Sequence, residues 1–204
     1  NFNVPNGKTV SPHKLGEAAS EVGYPVALKM ISPRLLHKTE AGAVVLDLKD
    51  EEELKLAVEK MRIDVTAYDA DAASELFLVE AMSPNPVAEL IVNLRQDPQF
   101  GAALVLGSGG VLVELMADTA TLLLPTSLAD IIRALKSLRV GRLLEGFRGR
   151  PAVDIPKVAG EIYKLCIAYQ DHDKTITEIE INPLFVYRDT VSAIDALIQV
   201  PVHK

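Results

Sequence analysis

An α+β fold in two lobes is what this sequence predicts, and three observations predict it. Short apolar runs of strand character follow one another directly at 88–94, 102–106, 111–116 and 120–124, as antiparallel strands do. Helical patterns with capping signals at their starts flank those runs. Ser83-Pro84-Asn85-Pro86 then breaks the chain with two prolines, and this marks the lobe boundary: an N-terminal lobe over 1–86 and a C-terminal lobe over 87–204.

Taken in order, Ser11-Pro12 starts a first helix, with proline at the first helical position, and Gly23 closes it. Residues 24–31 form a strand with Val26, Leu28 and Met30 on one face and Ala27, Lys29 and Ile31 on the other. A loop over 32–43 leads to a second strand at 44–48. Asp50 caps a helix with Glu53 three residues on, and Leu54, Ala57, Val58 and Met61 form its apolar stripe. The strand 75–82 runs out into the boundary. Past the strand runs, Ser127 and Asp130 have capping-box spacing. Asp154-Ile155-Pro156 opens a long helix with the stripe Val158, Ile162, Leu165, Cys166 and Tyr169. Residues 178–198 close the domain as a hairpin.

Composition narrows the function classes. A net charge of −7 with no long basic cluster excludes nucleic-acid binding through a broad basic footprint. The long apolar stretch 102–125 is broken by Gly107-Ser108-Gly109-Gly110 and carries Glu114 and Asp118, so it reads as buried strands and not as a membrane span. The N-terminal residues are polar and lack a signal-peptide core. The lone Cys166 falls on an apolar stripe as a core thiol, in keeping with a cytoplasmic setting. A start without methionine suggests a piece of a longer protein.

The hairpin raises a metal question. Alternation puts Glu178, Glu180 and Asn182 on one face. With Arg188-Asp189 as a two-residue turn, counting outward brings Asn182 opposite Asp195. An amide oxygen and two carboxylates suit a hard divalent cation, and they equally suit a solvated acidic face. Lys29, in mid-strand between apolar neighbours, has to snorkel, pair with an acid or meet a ligand anion. The loop after it carries Arg34, His37 and Lys38 before Ala41-Gly42-Ala43, where small residues let backbone N–H groups approach a phosphate. Glu80 ends a strand at the lobe junction, where ligand clefts form, and Glu89 starts the next strand; both are also ordinary strand-end carboxylates. Three glycines within 107–110 serve either a tight turn or a close approach.

Four segments in this order resemble one family: YPVALKMISPRLLHKTEAGAVVLDL (24–48), LVEAMSPNPVAELIVNLRQDPQFGAALVLGSGGVLVELMAD (78–118), LLEGFRGRPAVD (143–154) and EIEINPLFVYRDTVSAIDA (178–196). Together they are similar to the ATP-grasp domain of the NDP-forming acyl-CoA synthetases, and more distantly to the β subunit of succinyl-CoA synthetase. The resemblance implies an ATP-grasp fold, two α+β lobes with ATP or ADP bound in the cleft between them. It implies that Lys29 contacts nucleotide phosphates, that Glu80, Ala81 and Met82 meet the base, and that Glu89 lies near the ribose. Asn182 and Asp195 match Mg²⁺ ligands, with Glu180 beside them. His37 matches a relaying phosphohistidine with Lys38 next to it, and Gly42 belongs to the same loop. Gly107, Ser108, Gly109 and Gly110 match a glycine loop, usually Gly-Leu-Gly-Gly, that faces a phosphohistidine-carrying domain.

The implied chemistry is acid + CoA + ATP to acyl-CoA + ADP + phosphate, reversible and routed through phosphohistidine. It requires CoA-binding and phosphohistidine-carrying domains or a subunit as partners, in an oligomeric enzyme; no such segments occur in these 204 residues. The departures are mild: Ser108 in the glycine loop, Asn93 where glycine is common, Arg95-Gln96 where Lys-Arg is common, and Ala41 and Ala43 flanking Gly42 in place of a fuller glycine pair. An alternative is open, since similar domains occur as regulatory nucleotide-binding parts of protein lysine acetyltransferases. The presence of Lys29, His37, Asn182 and Asp195 favours catalysis.

Overall fold

The computed structural model describes residues 2–35, 37–110, 118–149, 151–172 and 175–201. The chain divides into two units, one over 5–84 and one over 85–204 together with residues 1–4. The expected strand at 111–116, with Glu114, lies outside the described residues.

In the smaller unit, β1 (Gly7–Val10), α1 (Leu15–Val22), β2 (Val26–Met30), β3 (Val44–Leu48), α2 (Glu51–Tyr68) and β4 (Phe77–Ala81) follow in order. The strands form a sheet in the order β1-β4-β2-β3, with every pairing antiparallel. All five residues of β2 are buried. That explains why its alternation is uninformative: the strand is covered on both faces, and Lys29 is enclosed with its apolar neighbours. The Asp50 carboxylate caps α2 by accepting the Glu53 N–H at 2.9 Å, while the Glu53 carboxylate accepts the Lys49 N–H at 2.8 Å. Leu54, Ala57, Val58, Met61 and Val65 bury the predicted stripe. Strand β1 has no apolar alternation in its Gly-Lys-Thr-Val sequence and is formed by pairing with β4.

In the larger unit, β5 (Ala88–Asp97), β6 (Gly101–Ser108) and β7 (Thr119–Leu123) precede α3 (Leu128–Ser137), α4 (Gly141–Leu144) and α5 (Ile155–Asp171). Strands β8 (Glu178–Val186), β9 (Val191–Ala193) and β10 (Ala196–Gln199) follow. The sheet order is β10-β8-β5-β6-β7, with β9 also paired to β8. Ser127 and Asp130 form the predicted capping box of α3, and the Asp154 carboxylate caps α5 by accepting the Lys157 N–H. Leu90, Val92, Leu94, Leu104 and Leu106 pack with Ile131, Leu135, Val158, Ile162 and Tyr169, so α3 and α5 cover one face of this sheet. Cys166 lies in that core, where burial pushes its thiol up to about 12.

Residues 1–4 were expected in the N-terminal lobe but cluster with the larger unit. The Asn3 carbonyl accepts the Ala193 N–H at 2.9 Å, and the Asn3 amide donates to the Thr190 hydroxyl at 2.8 Å. Among the described residues no helix is long and apolar enough to cross a membrane.

Candidate functional site

The closing hairpin has the register that counting from Arg188-Asp189 predicts. Val186 pairs with Val191, Leu184 with Ala193 and Ile181 with Ala196. Asn182 therefore stands opposite Asp195, and its N–H donates to the Asp195 carbonyl at 3.1 Å. The return strand is interrupted between β9 and β10, opposite Asn182 and Pro183. On the other side of β8 the pairing with β5 shifts between Leu90 and Val92. That irregularity changes the phase of burial, so Ile179 and Ile181 point to the core before it and Leu184 and Val186 after it. It also falls at Asn182, at the point where the acidic face ends.

The glycine loop meets the hairpin there. The Gly110 N–H donates to Asn182 Oδ1 at 3.0 Å, and the Gly109 N–H donates to the Glu89 carbonyl at 2.8 Å. A Cβ on Gly109 would fall well inside van der Waals contact with the Leu90 backbone. At Gly110 φ is +69°, and a Cβ would run into the Glu89 carboxylate. Close approach is therefore realised at Gly109, and what approaches is the start of β5. Glu89, Gly110 and Asn182 thus lie together, with Asp195 opposite.

Glu180 is held separately. Asn93, on β5 opposite Glu180, donates from Nδ2 to Glu178 Oε1 at 2.6 Å and to Glu180 Oε2 at 3.0 Å. Sequence reasoning noted Asn93 only as a departure from glycine. Its partners are 85 and 87 residues away, beyond the reach of any local pattern.

Asp118 is a second polar residue that sequence reasoning gave no role. It is buried, and its carboxylate accepts the Ser108 hydroxyl at 2.8 Å, the Arg139 N–H at 2.8 Å and the Val140 N–H at 3.1 Å. Ser108 thereby ties the glycine loop to the turn between α3 and α4. Burial pushes the Asp118 carboxyl upward, but the Arg139 N–H, the Ser108 hydroxyl and the Val140 N–H outweigh it and hold the group below the usual carboxylate range. A depressed folded pKa stabilises the fold above the unfolded value of about 3.9, and that share is lost as pH falls through the folded value. Asp118→Asn should therefore cost about 1–3 kcal/mol at neutral pH, with the gap to the parent closing in acid. Urea denaturation at pH 7 and in steps below pH 4 checks this; a gap independent of pH would contradict it.

In the smaller unit, Lys29 and Glu80 form a buried ion pair, Nζ to Oε2 at 2.6 Å, with side chains 6% and 11% exposed. Pairing with an acid is thus one answer to the question Lys29 raised, and Glu80 is not a solvated strand end. The Ala81 N–H donates to the Asn6 carbonyl at 2.8 Å and the Met82 N–H to the Pro25 carbonyl at 3.3 Å. The Ala81 and Met82 N–H groups of the segment expected to meet a base are therefore used within the unit. His37 is exposed, and its carbonyl accepts the Ala41 N–H at 3.2 Å. The Lys38 carbonyl accepts the Ala43 N–H at 2.8 Å, which closes the loop as a compact turn. Gly42 has φ +68° and faces Asp64 on α2, so helix packing accounts for this glycine.

Comparison with known proteins places the chain in a family. Residues 2–200 match the ATP-grasp domain family. The chain is 35% identical over 176 residues to the β subunit of the Pyrococcus furiosus acetate–CoA ligase (ADP-forming) II, covering 86% of this chain and 74% of that one. Its fold superposes with a TM-score of 0.88 and 31% identity on a Ca. Korarchaeum cryptofilum acetyl-coenzyme A synthetase 1 solved with coenzyme A and Ca-AMPCP, over 98% of this chain and 87% of that one. A second structure of that enzyme, with Mg-AMPPCP and a phosphohistidine segment pointing towards the nucleotide binding site, superposes at 0.78 with 29% identity, covering 98% and 86%.

Proposed function

Since the chain belongs to the ATP-grasp family, alongside the β subunits of ADP-forming acetate–CoA ligases, we propose that it is the nucleotide-binding, phosphoryl-transferring part of an ADP-forming acyl-CoA synthetase. The observation that carries this reading is the hairpin register, which sets Asn182 opposite Asp195 beside the glycine loop.

The donor set fits Mg²⁺ in chemistry. Asn182 Oδ1, the Asp195 carboxylate and the Glu180 carboxylate are hard oxygen donors on one hairpin. Asn182 Oδ1 accepts the Gly110 N–H and has a second lone pair. Among the described residues no group of three His, Cys, Asp or Glu side chains is placed to hold a metal ion. Mg²⁺ is ordinarily held by one or two carboxylates plus substrate phosphates. Bound there, the ion would offset charge on the phosphoryl oxygens.

Lys29 brings a desolvated ammonium to the phosphates, aimed by Glu80. Carbonyl groups of residues 80–82 meet the base, because the Ala81 and Met82 N–H groups are already engaged. Glu89 lies at the ribose. His37 takes or returns the phosphoryl group: a nitrogen–phosphorus bond forms as the bond to ADP breaks, with Lys38 beside it balancing charge. CoA-binding and phosphohistidine-carrying domains complete the enzyme, facing the loop 107–110, in a cytoplasmic oligomer.

Calorimetric titration with ADP, with Mg²⁺ and with EDTA, tests this reading. Binding should require Mg²⁺, and Asp195→Asn should raise the half-saturating Mg²⁺ concentration about tenfold with an unchanged melting temperature. Metal-independent affinity, or equal Mg²⁺ dependence in the variant, would refute the metal assignment.

A further inference from the structure

We infer that Asn93 is a positioning residue that aims Glu180 at the cation, an inference that rests on the magnesium–nucleotide reading above. Four observations carry it. Asn93 Nδ2 is hydrogen-bonded to Glu178 and Glu180 at once, at 2.6 and 3.0 Å. The two carboxylates carry like charges and share this one neutral amide, with Arg95 opposite Glu178 on β5. Asn93 is 7% exposed, so its amide is fixed by its surroundings and is not a surface group that found two acids by chance. Its Oδ1 is buried and meets no protein donor among the described residues.

Asn93 spends its Nδ2 donor on two carboxylates at once. What it achieves is geometry. Two glutamates on one strand face repel, and each has three side-chain torsions with which to swing towards solvent. The shared donor opposes that and holds Glu180 against β5, near the start of β8 and two residues from Asn182. Hydrogen-bonded support of a ligating carboxylate is the kind of contact whose loss weakens metal affinity about 10–100-fold.

Asn93→Leu tests this, because leucine has nearly the same shape, lacks the donor and also removes the orphan acceptor. The half-saturating Mg²⁺ concentration for ADP binding should rise about tenfold, with ADP affinity at saturating Mg²⁺ and the melting temperature both retained. In a Glu180→Gln background the same substitution should have no further effect, because Asn93 acts through Glu180. Should Asn93→Leu fail to fold, Asn93→Ala read in both backgrounds serves the same comparison. An unchanged Mg²⁺ requirement in the single variant, or an equal shift in both backgrounds, overturns the inference while leaving the nucleotide reading intact. A parent chain that binds ADP without Mg²⁺ overturns both together.

Discussion

Lys29→Met should destabilise the chain by about 3–5 kcal/mol, the largest effect expected of any single substitution here. Lys29 and Glu80 meet at 2.6 Å with side chains almost fully enclosed, so removing the ammonium leaves a buried carboxylate without its counter-charge. The loss comes from the stranded acid more than from any net strength of the pair, because desolvating both ions offsets most of their attraction. A paired substitution separates these contributions. Lys29→Met with Glu80→Leu removes both charges and should recover most of the lost stability. It should not recover Mg·ADP binding, because the cation proposed to meet the phosphates is still absent. Chemical denaturation and calorimetry on the two variants read the two quantities independently. Recovery of binding with recovery of stability would mean that Lys29 serves only the fold.

The second large effect is expected at the glycine loop, and it takes the form of a ranking. A Cβ at residue 109 meets the backbone of Leu90, which is locked into the ladders of β5 with β6 and β8. A Cβ at residue 110 meets the end of the Glu89 side chain, which can rotate away. Gly109→Ala should therefore cost about 1–3 kcal/mol or more. Gly110→Ala should cost only about 1 kcal/mol, from its left-handed backbone. For a chain of this length each kcal/mol lowers the melting temperature by roughly 2–4 °C, so thermal unfolding resolves the order. The reverse order would show that Glu89 is as immovable as the strand behind it.

How much of this was legible in the sequence depended on how local the determinant was. The strands expected at 24–31, 44–48 and 75–82 and found at 26–30, 44–48 and 77–81, the caps at Asp50, Ser127 and Asp154, and the hairpin register could all be read, because each rests on residues within a few positions. Asn182 against Asp195 is the best case: once the turn is set at 188–189, period-two counting reaches both. Strand β1 was not legible, since Gly-Lys-Thr-Val has no pattern of its own and is strand only by virtue of β4. Burial of Glu80 was hidden for the same reason, because its ladder neighbours come from β1 and β2. Asn93 interrupts an apolar run, and Asp118 lies between two of them. That is a usable signal, because a buried polar group must be satisfied, but it does not name the partner. The change of phase at Asn182 was also beyond alternation, which assumes an unbroken ladder.

That ladder has one more implication. The separation of Asn182 and Asp195 is set by a backbone hydrogen bond, N to O at 3.1 Å, and not by either side chain. Main-chain spacing therefore acts as a ruler, and the chemical identity of the two donors is a separate variable. Exchanging amide for carboxylate between the strands would conserve both span and net charge, whereas changing one donor alone would alter charge at constant span. At the proposed metal site electrostatic strength and geometry are thus set separately, so donor charge can change by single substitutions while the scaffold beneath stays the same.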